Sequence, residues 1–339
     1  MTFDPLLPEP TRWCVTGAAG FIGSHLTRAL LAGGQHVVAL DDFSTGHRAT
    51  LDDVRAEVGE EAWGRFRLLE GDLRDLDACR EAVDGAELVL HQAALGSVPR
   101  SIHDPLTTHA VNVDGTVNLF LAARDAGARR VVYASSSSVY GDHPGLPKVE
   151  GEVGRPLSPY AVSKRTGELY ARTVQDHYGL ETVGLRYFNV FGPRQDPDGA
   201  YAAVIPKWIG QLLDGQTPTI HGDGETSRDF CYVDNVVQAN LRAATGPSDA
   251  TGTVYNVAVG ERTTLRELYA LLADGLRDAL PEADPGDPQF GPFRAGDVRH
   301  SLADTTAIEA ALGYAPTHTA RDGLHETVAW YAARAVETP

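Results

Sequence analysis

The chain has 339 residues, of which 42% are hydrophobic and 22% charged, and it carries three cysteines and a formal net charge of −17. This composition excludes an intrinsically disordered chain, and three widely spaced cysteines fit neither a disulfide framework nor a zinc site, so we expect a metal-free protein of the reducing cytoplasm. Nucleic acids and anionic membranes bind through clustered Lys and Arg, so the negative charge argues against both as partners.

Residues 1–10 have neither the basic start nor the apolar centre of a signal peptide, and no apolar run approaches the ~20 residues of a membrane span. Short β-prone runs then alternate with helical patterns. The predicted strands are residues 13–16, 36–40, 66–69, 88–91, 130–134 and 182–186. Several of these runs are apolar throughout, which is typical of parallel strands covered on both faces. The alternation predicts an α/β protein with a doubly wound parallel sheet of the Rossmann type.

After about residue 192 the alternation breaks up into segments rich in Gly and Pro, which indicates a smaller C-terminal α/β lobe. One helix in this lobe is predicted by a capping box, in which Thr264 is followed three residues later by Glu267 and then by Leu268.

A glycine-rich turn follows the first predicted strand and opens a helix, with glycines at positions 17, 20 and 23. Gly17 would permit the tight turn, Gly20 the approach of a pyrophosphate, and Gly23 the close packing of helix on strand. The second strand ends in Asp41, 24 residues after Gly17, where a carboxylate can bind an adenosine ribose. A 2′-phosphate ~4 Å from this carboxylate would be repelled by several kcal/mol, so the sequence predicts NAD rather than NADP.

A run of serines, 135–138, follows the fifth strand, and Tyr160 stands 24 residues after Ser136. Tyr160 and Lys164 share one helical face, so the ammonium group can lower the pKa of the phenol. With the charge of an oxidised nicotinamide added, we expect this pKa to fall from about 10 toward neutrality, which would give a general base. Ser136, Tyr160 and Lys164 are therefore the predicted catalytic residues of an oxidoreductase-type site.

Further motifs are His-Gln-Ala-Ala at 91–94, Ser-Pro-Tyr at 158–160, Leu-Arg-Tyr-Phe-Asn at 185–189, Ser-Arg-Asp-Phe at 227–230 and Arg-Ala-Gly-Asp at 294–297. Together with the glycine turn and Tyr-x-x-x-Lys, they make residues 11–335 resemble the extended short-chain dehydrogenase/reductase family, and within it the UDP-hexose 4-epimerases. The segments 96–100, 194–197, 199–208 and 297–301 are similar to the subgroup that acts on UDP-N-acetylhexosamines and their uronates.

The resemblance implies that Tyr160 takes the proton of the sugar 4-hydroxyl, that Ser136 hydrogen-bonds O4, and that Lys164 also binds the nicotinamide ribose. NAD would stay tightly bound and be regenerated in each cycle. The implied cofactor-binding residues are Gly17, Gly20, Phe21, Ile22, Gly23, Asp41, Asp42, Ser44, Gly46, Asp72, Leu73, Gln92, Ala93, Ala94, Asn112, Ser135, Tyr160, Lys164, Tyr187 and Val190. The implied substrate-binding residues are Gly96, Ser97, Ser136, Ser137, Asn189, Arg194, Gln195, Ala203, Val204, Lys207, Trp208, Arg228, Arg294, Asp297 and Ser301.

By the same resemblance, residues 1–191 would form the NAD-binding domain, rejoined by parts of about 231–260, and residues 192–339 would mainly bind the UDP-sugar. The small Ser301 replaces the bulky Tyr of members restricted to glucose and galactose, which favours an N-acetylated sugar, UDP-GlcNAc or UDP-GalNAc. Arg194, Arg100 or Arg299 facing a C6 carboxylate would instead indicate a UDP-hexuronic acid, UDP-GlcA or UDP-GlcNAcA. A homodimer through helices around 113–126 and 160–178 is also implied.

Two other functions stay open from the residues. A sugar-nucleotide 4,6-dehydratase would need acidic groups beside the catalytic hydroxyl, where the chain has Ser137 and Ser138. A non-catalytic NAD-sensing module would be expected to lose Ser136, Tyr160 and Lys164, and all three are present.

Overall fold

The computed structural model describes Leu7 and residues 9–197, 202–293 and 298–337. Within these residues the strands are β1 (Arg12–Thr16), β2 (His36–Asp41), β3 (Phe66–Glu70), β4 (Leu88–His91), β5 (Arg130–Ser136), β6 (Glu181–Tyr187), β7 (Val190–Phe191), β8 (Thr219–His221), β9 (Ser227–Arg228), β10 (Cys231–Tyr232), β11 (Thr253–Val257), β12 (Thr263–Thr264) and β13 (Gln289–Gly291). The α-helices are α1 (Phe21–Ala32), α2 (Arg48–Trp63), α3 (Leu76–Val83), α4 (Val98–His103), α5 (Pro105–His109), α6 (Gly115–Asp125), α7 (Pro159–Tyr178), α8 (Val204–Leu213), α9 (Val233–Thr245), α10 (Leu265–Ala279), α11 (Thr306–Leu312) and α12 (Ala320–Glu337). A π-helical turn, Ala110–Asp114, leads into α6, and a 3-10 turn, Ser137–Tyr140, follows β5.

Within the described residues, seven parallel strands form the central sheet in the order β11-β6-β5-β4-β1-β2-β3. Helices cover both faces, so the predicted doubly wound Rossmann sheet is confirmed. All six predicted strands lie in this sheet, within about two residues of their predicted bounds. The seventh strand, β11, pairs with β6 at the sheet edge, and no apolar run of the sequence had indicated it.

The strand order places three loops at one edge of the sheet. β1 lies between β2 and β4, with Thr16 opposite Leu40 on one side and His91 on the other. Between β1 and β4 the order of the strands reverses, and ligands of doubly wound sheets bind outside the carboxyl ends of the strands at such a switch point. The loops that follow β1, β2 and β4 therefore converge on the expected ligand crevice.

Apolar clusters fill the space between this sheet and its helices. Leu30 of α1 and Val237 of α9 belong to the cluster on one face, and Phe120 of α6 and Val174 of α7 to the cluster on the other. A separate cluster around Trp208 joins α8, α10 and α12 and forms the core of the C-terminal lobe. Phe191 of β7 and Val233 of α9 belong to the same cluster, and Phe21 of α1 packs against it, so these helices are joined to the elements beside the sheet.

Helix α10 begins as its capping box predicts. The Thr264 hydroxyl accepts a hydrogen bond from the Glu267 N–H at 3.1 Å, and the Glu267 carboxylate accepts one from the Thr264 N–H at 2.8 Å. The predicted helix is thus confirmed. Across the described part of the chain, no helix combines the length and apolarity that a membrane crossing needs.

Candidate active site

A cavity of about 290 Å³, here called the switch-point cavity, lies at the carboxyl ends of the central strands. It is lined by Gly17, Gly20, Phe21, Ile22, Gly23, Asp41, Asp42, Ser44, Gly46, Asp72, Leu73, Gln92, Ala93 and Ala94, together with Leu40, Thr45, Gly71, Leu95, Gly96 and Val111. The structure therefore brings together most of the residues that were predicted to bind a dinucleotide, although they come from four separate loops.

Two glycines of the turn after β1 cannot be replaced without moving backbone. Gly17 has a φ of +70°, and a Cβ there would lie 2.8 Å from the Ala93 nitrogen. A Cβ on Gly23 would lie 2.0 Å from the Gly17 carbonyl oxygen, because the first turn of α1 packs directly on the glycine turn. The N–H groups at the start of α1 are left accessible to an anion by this packing.

Asp41 connects the glycine turn to the loop after β2. Its carboxylate accepts hydrogen bonds from the Ala19 N–H at 2.8 Å and from the Phe43 N–H at 2.9 Å. Burial raises the pKa of Asp41, and these two bonds oppose the rise. Since each carboxylate oxygen can accept a second hydrogen bond, the group can hold the turn and still bind a ribose hydroxyl.

Asp72 and Gln92 are held by neighbours that the sequence did not indicate. The Asp72 carboxylate forms an ion pair with Arg74, and a hydrogen bond from that guanidinium lowers its pKa. The Gln92 amide accepts a hydrogen bond from the Tyr187 hydroxyl at 3.0 Å and donates one to Asn240 of α9 at 3.1 Å. Tyr187 therefore positions a cavity-lining amide, and its own ring does not line the cavity.

Asn112 lies in the π-helical turn and links two parts of the site. Its side chain accepts a hydrogen bond from the Leu95 N–H at 2.8 Å and donates to the Leu95 carbonyl at 3.2 Å and to the Ser163 hydroxyl at 3.1 Å. Leu95 belongs to the loop after β4, and Ser163 belongs to α7. Such π turns occur preferentially at functional sites, where they turn one side chain out of helical register.

The predicted catalytic residues meet at the start of α7. Ser158 caps this helix by accepting a hydrogen bond from the Ala161 N–H at 3.1 Å, so Tyr160 stands in its first turn, where the helix dipole favours a negative phenolate. An interaction with Ser136 lowers the pKa of the Tyr160 hydroxyl, and the Lys164 ammonium lies 6.0 Å from the centre of the Tyr160 ring. That ammonium also donates to the Ala134 carbonyl at 2.9 Å.

Burial within the polypeptide shifts the pKa values of both Tyr160 and Lys164. It raises the pKa of Tyr160, and the interaction with Ser136 only partly opposes this rise. Burial also lowers the pKa of Lys164 to about 8. The predicted lowering of the Tyr160 pKa includes the positive charge of an oxidised nicotinamide beside the phenol, so it stays a prediction.

The hydroxyl groups of Ser135 and Ser136 make hydrogen bonds to different parts of the structure. Ser135 donates its hydroxyl proton to Glu168 at 2.6 Å in a buried cluster, so that proton is not available to a cofactor, and the cofactor-binding role of Ser135 stays a prediction. The Ser136 hydroxyl accepts a hydrogen bond from the Ser138 N–H at 3.2 Å, which fixes it beside Tyr160.

Two further cavities continue the cleft beyond Gly96. The middle cavity, of about 510 Å³, is lined by Ser97, Val98, Pro99, Asn189, Val190, Phe191, Gln195, Ala203, Val204, Ile205 and Phe230. The outer cavity, of about 180 Å³, is lined by Asn189, Val204, Trp208, Thr219, His221, Thr226, Arg228, Phe230 and Leu265. Because Asn189, Val204 and Phe230 line both, the two cavities adjoin one another.

Arg194 lies elsewhere than the sequence predicted. Its side chain is 2% exposed and forms an ion pair with Glu57 of α2. The preceding residue, Pro193, accepts a hydrogen bond from His25 of α1 at 2.9 Å, the ring nitrogen being protonated. The loop after β7 is thus anchored to the Rossmann helices, and the guanidinium is directed to Glu57 instead of lining the middle cavity.

The remaining predicted substrate residues are only partly placed. Lys207 is exposed on α8, Ser137 begins the 3-10 turn, and Ser301 donates its N–H to the Ser227 carbonyl at 3.1 Å, but none of the three lines a cavity described above. Arg294 and Asp297 lie outside the described residues. Thr219, His221 and Leu265 line the outer cavity although no sequence motif contains them.

Backbone strain is concentrated around this cleft. Among the described non-glycine residues, positive φ angles occur at Phe43 (+55°), Ser97 (+118°), Asn189 (+35°) and Arg194 (+66°). Ser97 and Asn189 line the middle cavity, Arg194 precedes Gln195, and Phe43 lies between two residues of the switch-point cavity. Each such conformation costs of order 1–3 kcal/mol and is typical of binding and catalytic sites.

Comparison with known families agrees with this geometry. The model of the NAD dependent epimerase/dehydratase family matches residues 13–258. The chain belongs to this family. Its cofactor is NAD, and the resemblance drawn from the sequence motifs is confirmed. The glycine turn fits the cofactor because Gly17 and Gly20 line the switch-point cavity without a side chain that would occupy it.

Relatives of this epimerase/dehydratase family member differ in the sugars that their names specify. The UDP-glucose 4-epimerase of Mycolicibacterium smegmatis is 40% identical over 322 residues, which are 94% of this chain and 98% of that protein. UDP-glucuronate 4-epimerase 5 of Arabidopsis thaliana is 32% identical over 335 residues, 94% of this chain and 74% of that protein. The solved structure of UDP-N-acetylglucosamine 4-epimerase from Methanobrevibacter ruminantium M1, in complex with UDP-N-acetylmuramic acid, is similar with a TM-score of 0.87 at 38% identity, and covers 96% of this chain and 100% of that chain.

Proposed function

We propose that this protein is a UDP-sugar 4-epimerase whose preferred substrates are the N-acetylated pair UDP-GlcNAc and UDP-GalNAc. The observation that carries the proposal is the wall of the middle cavity, whose lining residue Ser97 follows Gly96 of the switch-point cavity in the chain. In the described part of the chain, no Lys, Arg or His lines that cavity. A sugar carboxylate buried there would lose its hydration without gaining a counter-charge, whereas a neutral acetamido group would meet apolar and amide surface.

The cations considered for a uronic acid support the same ranking. Arg194 is paired with Glu57, and Arg299 is paired with Asp223 and stacks on Phe293. Neither guanidinium group lines the middle cavity. A UDP-hexuronic acid is therefore our second candidate, and Arg100 of α4, the third cation considered for it, does not line that cavity either.

The reaction assigns a separate task to each catalytic residue. Tyr160 accepts the proton of the 4-hydroxyl and later returns it, while Ser136 donates a hydrogen bond to O4. Lys164 supplies positive charge beside the phenolate and is oriented by the Ala134 carbonyl. NAD, held by the residues of the switch-point cavity, would supply the acceptor and donor of the C4 hydride.

The outer cavity is our candidate site for the UDP group. Arg228 offers a forked donor to the diphosphate, and Trp208 supplies an aromatic wall. Asn189, shared by the outer and middle cavities, would contact the substrate between its nucleotide and its sugar. Arg294 and Asp297 are assigned to the same group by the motif alone. We accordingly propose that the C-terminal lobe, within residues 192–339, mainly binds the UDP-sugar and that residues 1–191, with parts of 231–260, bind NAD.

A 4,6-dehydratase is disfavoured by the same wall. Elimination of water needs an acid beside the sugar ring, and no Asp or Glu among the described residues lines the middle cavity. A non-catalytic NAD sensor is disfavoured because the Tyr160, Ser136 and Lys164 contacts are all formed.

We also propose that two copies of the chain pair through α4, α5 and α7. Large apolar side chains are exposed there, namely Ile102, Leu106, Leu157, Val162, Leu169, Tyr170 and Tyr178. The apolar residues of α6, by contrast, are mostly buried within the chain. The proposed surface thus differs from the predicted one in using α4 and α5 instead of α6. Light scattering after size exclusion should give a dimer, and a monomer would exclude this arrangement.

The decisive experiment mixes the purified protein with UDP-GlcNAc, UDP-GlcA, UDP-GlcNAcA and UDP-Glc without added reductant and separates the products by chromatography. UDP-GlcNAc should be epimerised fastest. No turnover of any substrate would exclude the epimerase, and faster turnover of an acidic sugar would exclude the ranking.

A variant of Ser301 tests the sugar preference. Ser301→Tyr should lower turnover of UDP-GlcNAc by roughly tenfold or more relative to UDP-Glc, since overpacking a site costs ~1–3 kcal/mol. Ser301→Ala is the matched control and should leave the preference unchanged. An unchanged preference in both variants would remove Ser301 from the sugar site.

A further inference from the structure

The end of β5 is joined to α7 by consecutive contacts. The Ala134 carbonyl accepts a hydrogen bond from Lys164, the Ser135 hydroxyl donates one to Glu168, and Ser136 interacts with the Tyr160 hydroxyl and lowers its pKa. Tyr160, Lys164 and Glu168 are spaced four residues apart and therefore lie on one face of the helix. Glu168 thus continues the catalytic face by one turn but does not line any of the cavities of the cleft.

Glu168 is held by a buried arginine of the neighbouring strand. Arg186 of β6 lies opposite Ser135 in the sheet, and its guanidinium donates to the two Glu168 oxygens at 2.8 and 2.9 Å. The two side chains are 0% and 2% exposed. Arg186 also donates to the Glu150 carbonyl at 2.9 Å, which fixes its orientation. Such a forked, charge-assisted pair defines both the distance and the angle between its elements.

Other groups around Glu168 complete the cluster. Arg165, one turn away on α7, donates to a Glu168 oxygen at 2.7 Å from a position that is 35% exposed. Tyr140 stacks on the Arg186 guanidinium with a separation of 4.8 Å. Burial raises the pKa of Glu168, but the hydrogen bonds from Arg186, Ser135 and Arg165 outweigh it, so the pKa lies below its usual range.

A buried ion pair is a poor source of stability, because desolvation of the two charges offsets much of their attraction. An apolar pair of similar volume would fill the same space. The ion pair adds a fixed geometry between the end of β5 and helix α7. The catalytic residues Ser136 and Tyr160 lie next to this junction.

We propose that Glu168, clamped by Arg186, is a positioning residue for the C4 chemistry: it holds α7 in register with the end of β5, so that Tyr160 and Lys164 stay aligned with Ser136. This inference rests on the proposed epimerase function and deepens it. Neither Glu168 nor Arg186 touches the substrate, and their effect is transmitted through Ser135 and the helix.

The test compares NAD-loaded wild type, Glu168→Gln, Arg186→Met and the double variant Glu168→Leu/Arg186→Met. We expect kcat of Glu168→Gln to fall about 10–100-fold, while KM and NAD content stay close to wild type, because alignment acts in the transition state. Arg165→Met is the matched control, since it removes a partner of the same carboxylate at the surface, and it should keep kcat within about threefold.

The double variant separates positioning from stability. Replacing a buried ion pair by apolar residues often restores thermal stability. If the double variant regains the melting temperature of wild type and its kcat stays low, the pair positions the catalytic face. If kcat recovers together with the melting temperature, or if Glu168→Gln keeps wild-type kcat, the proposal is wrong.

A substrate-free measurement keeps this test independent of the proposed function. The ionisation of Tyr160 can be followed by absorbance at the tyrosinate band, as the difference between each protein and the same protein with Tyr160→Phe. In Glu168→Gln the Tyr160 ionisation should move to higher pH, by about tenfold in its constant, as the phenol loses its aligned neighbours. An unchanged ionisation would contradict positioning, whereas lack of turnover by wild type would exclude only the epimerase.

Discussion

The switch-point cavity and the two cavities beyond it are built in different ways. The first is formed by the ends of β1, β2 and β4 and the start of α1, and its glycines are fixed by contacts with backbone. The middle and outer cavities are formed largely by loops and short strands, with residues in positive φ and with neighbours far away in the sequence. Regular elements thus form the predicted cofactor site, whereas strained loops form the cavities proposed for the substrate.

The largest effect is expected for Tyr160, which is held by regular elements of the sheet domain, and it tests that half of the comparison. Tyr160→Phe should lower kcat by about 10³-fold, because the proton acceptor is lost, while KM for the UDP-sugar and the NAD content remain near wild type. Tyr170→Phe, on an exposed part of the same helix, is the control and should retain activity. Steady-state kinetics would contradict the assignment if Tyr160→Phe kept more than a tenth of wild-type kcat.

The next effect concerns the outer cavity. Arg228→Met should raise KM about 10–100-fold with little change in kcat, since a charge-assisted contact with a diphosphate acts on bound substrate and transition state alike. Arg266→Met, which removes an exposed arginine paired with Glu225, is the control. A fall in kcat at constant KM would show that Arg228 of the outer cavity takes part in the chemical step. The division between a catalytic sheet region and substrate-binding loops would then be wrong.

A pH profile gives a smaller effect on the catalytic side. Lys164 has a pKa of about 8, below its ordinary value because of burial, so its positive charge is present below pH 8 and lost above it. We expect kcat to be halved near pH 8 and to fall about tenfold by pH 9. Lys164→Arg keeps a charge throughout this range, so its lower activity should show no such alkaline fall between pH 6 and 10.

The smallest effect is confined to the C-terminal lobe. Thr264→Ala removes the cap of α10 and should lower the free energy of unfolding by about 1 kcal/mol. Denaturant titration measures this change, and kcat should be unaffected because the Thr264 side chain lines none of the three cavities. Thr306→Ala, in the first turn of α11 where no side-chain cap is formed, is a suitable control.

The sequence was most informative where function depends on local order. The glycine turn, the capping box at Thr264 and the Tyr160–Lys164 spacing each involve residues within one turn of one another, so their geometry follows from the helix or strand that holds them. The six predicted strands could be recognised for a similar reason, since each is a short β-prone run and several of these runs are apolar throughout.

The rest depends on contacts between distant segments. Arg194 was expected beside the sugar, but its partner Glu57 is 137 residues away on α2, and no local pattern marks that pair. Asn240 supports Gln92 across 148 residues, and His221 joins the outer cavity from a strand without a motif. The roles of such residues can be recognised only in the folded structure, where segments distant in the sequence are in contact.

The π-helical turn at Ala110–Asp114 restricts where single residues can be inserted into or deleted from this chain. A π turn has one residue more than an α-helical turn, so deletion of a single residue there would restore a regular helix. The side chains on one side of the deletion would then rotate by about 100°, and Asn112 would leave Leu95 and Ser163. Over evolutionary time, insertions and deletions should therefore accumulate in surface loops, while the residue count of this turn stays fixed.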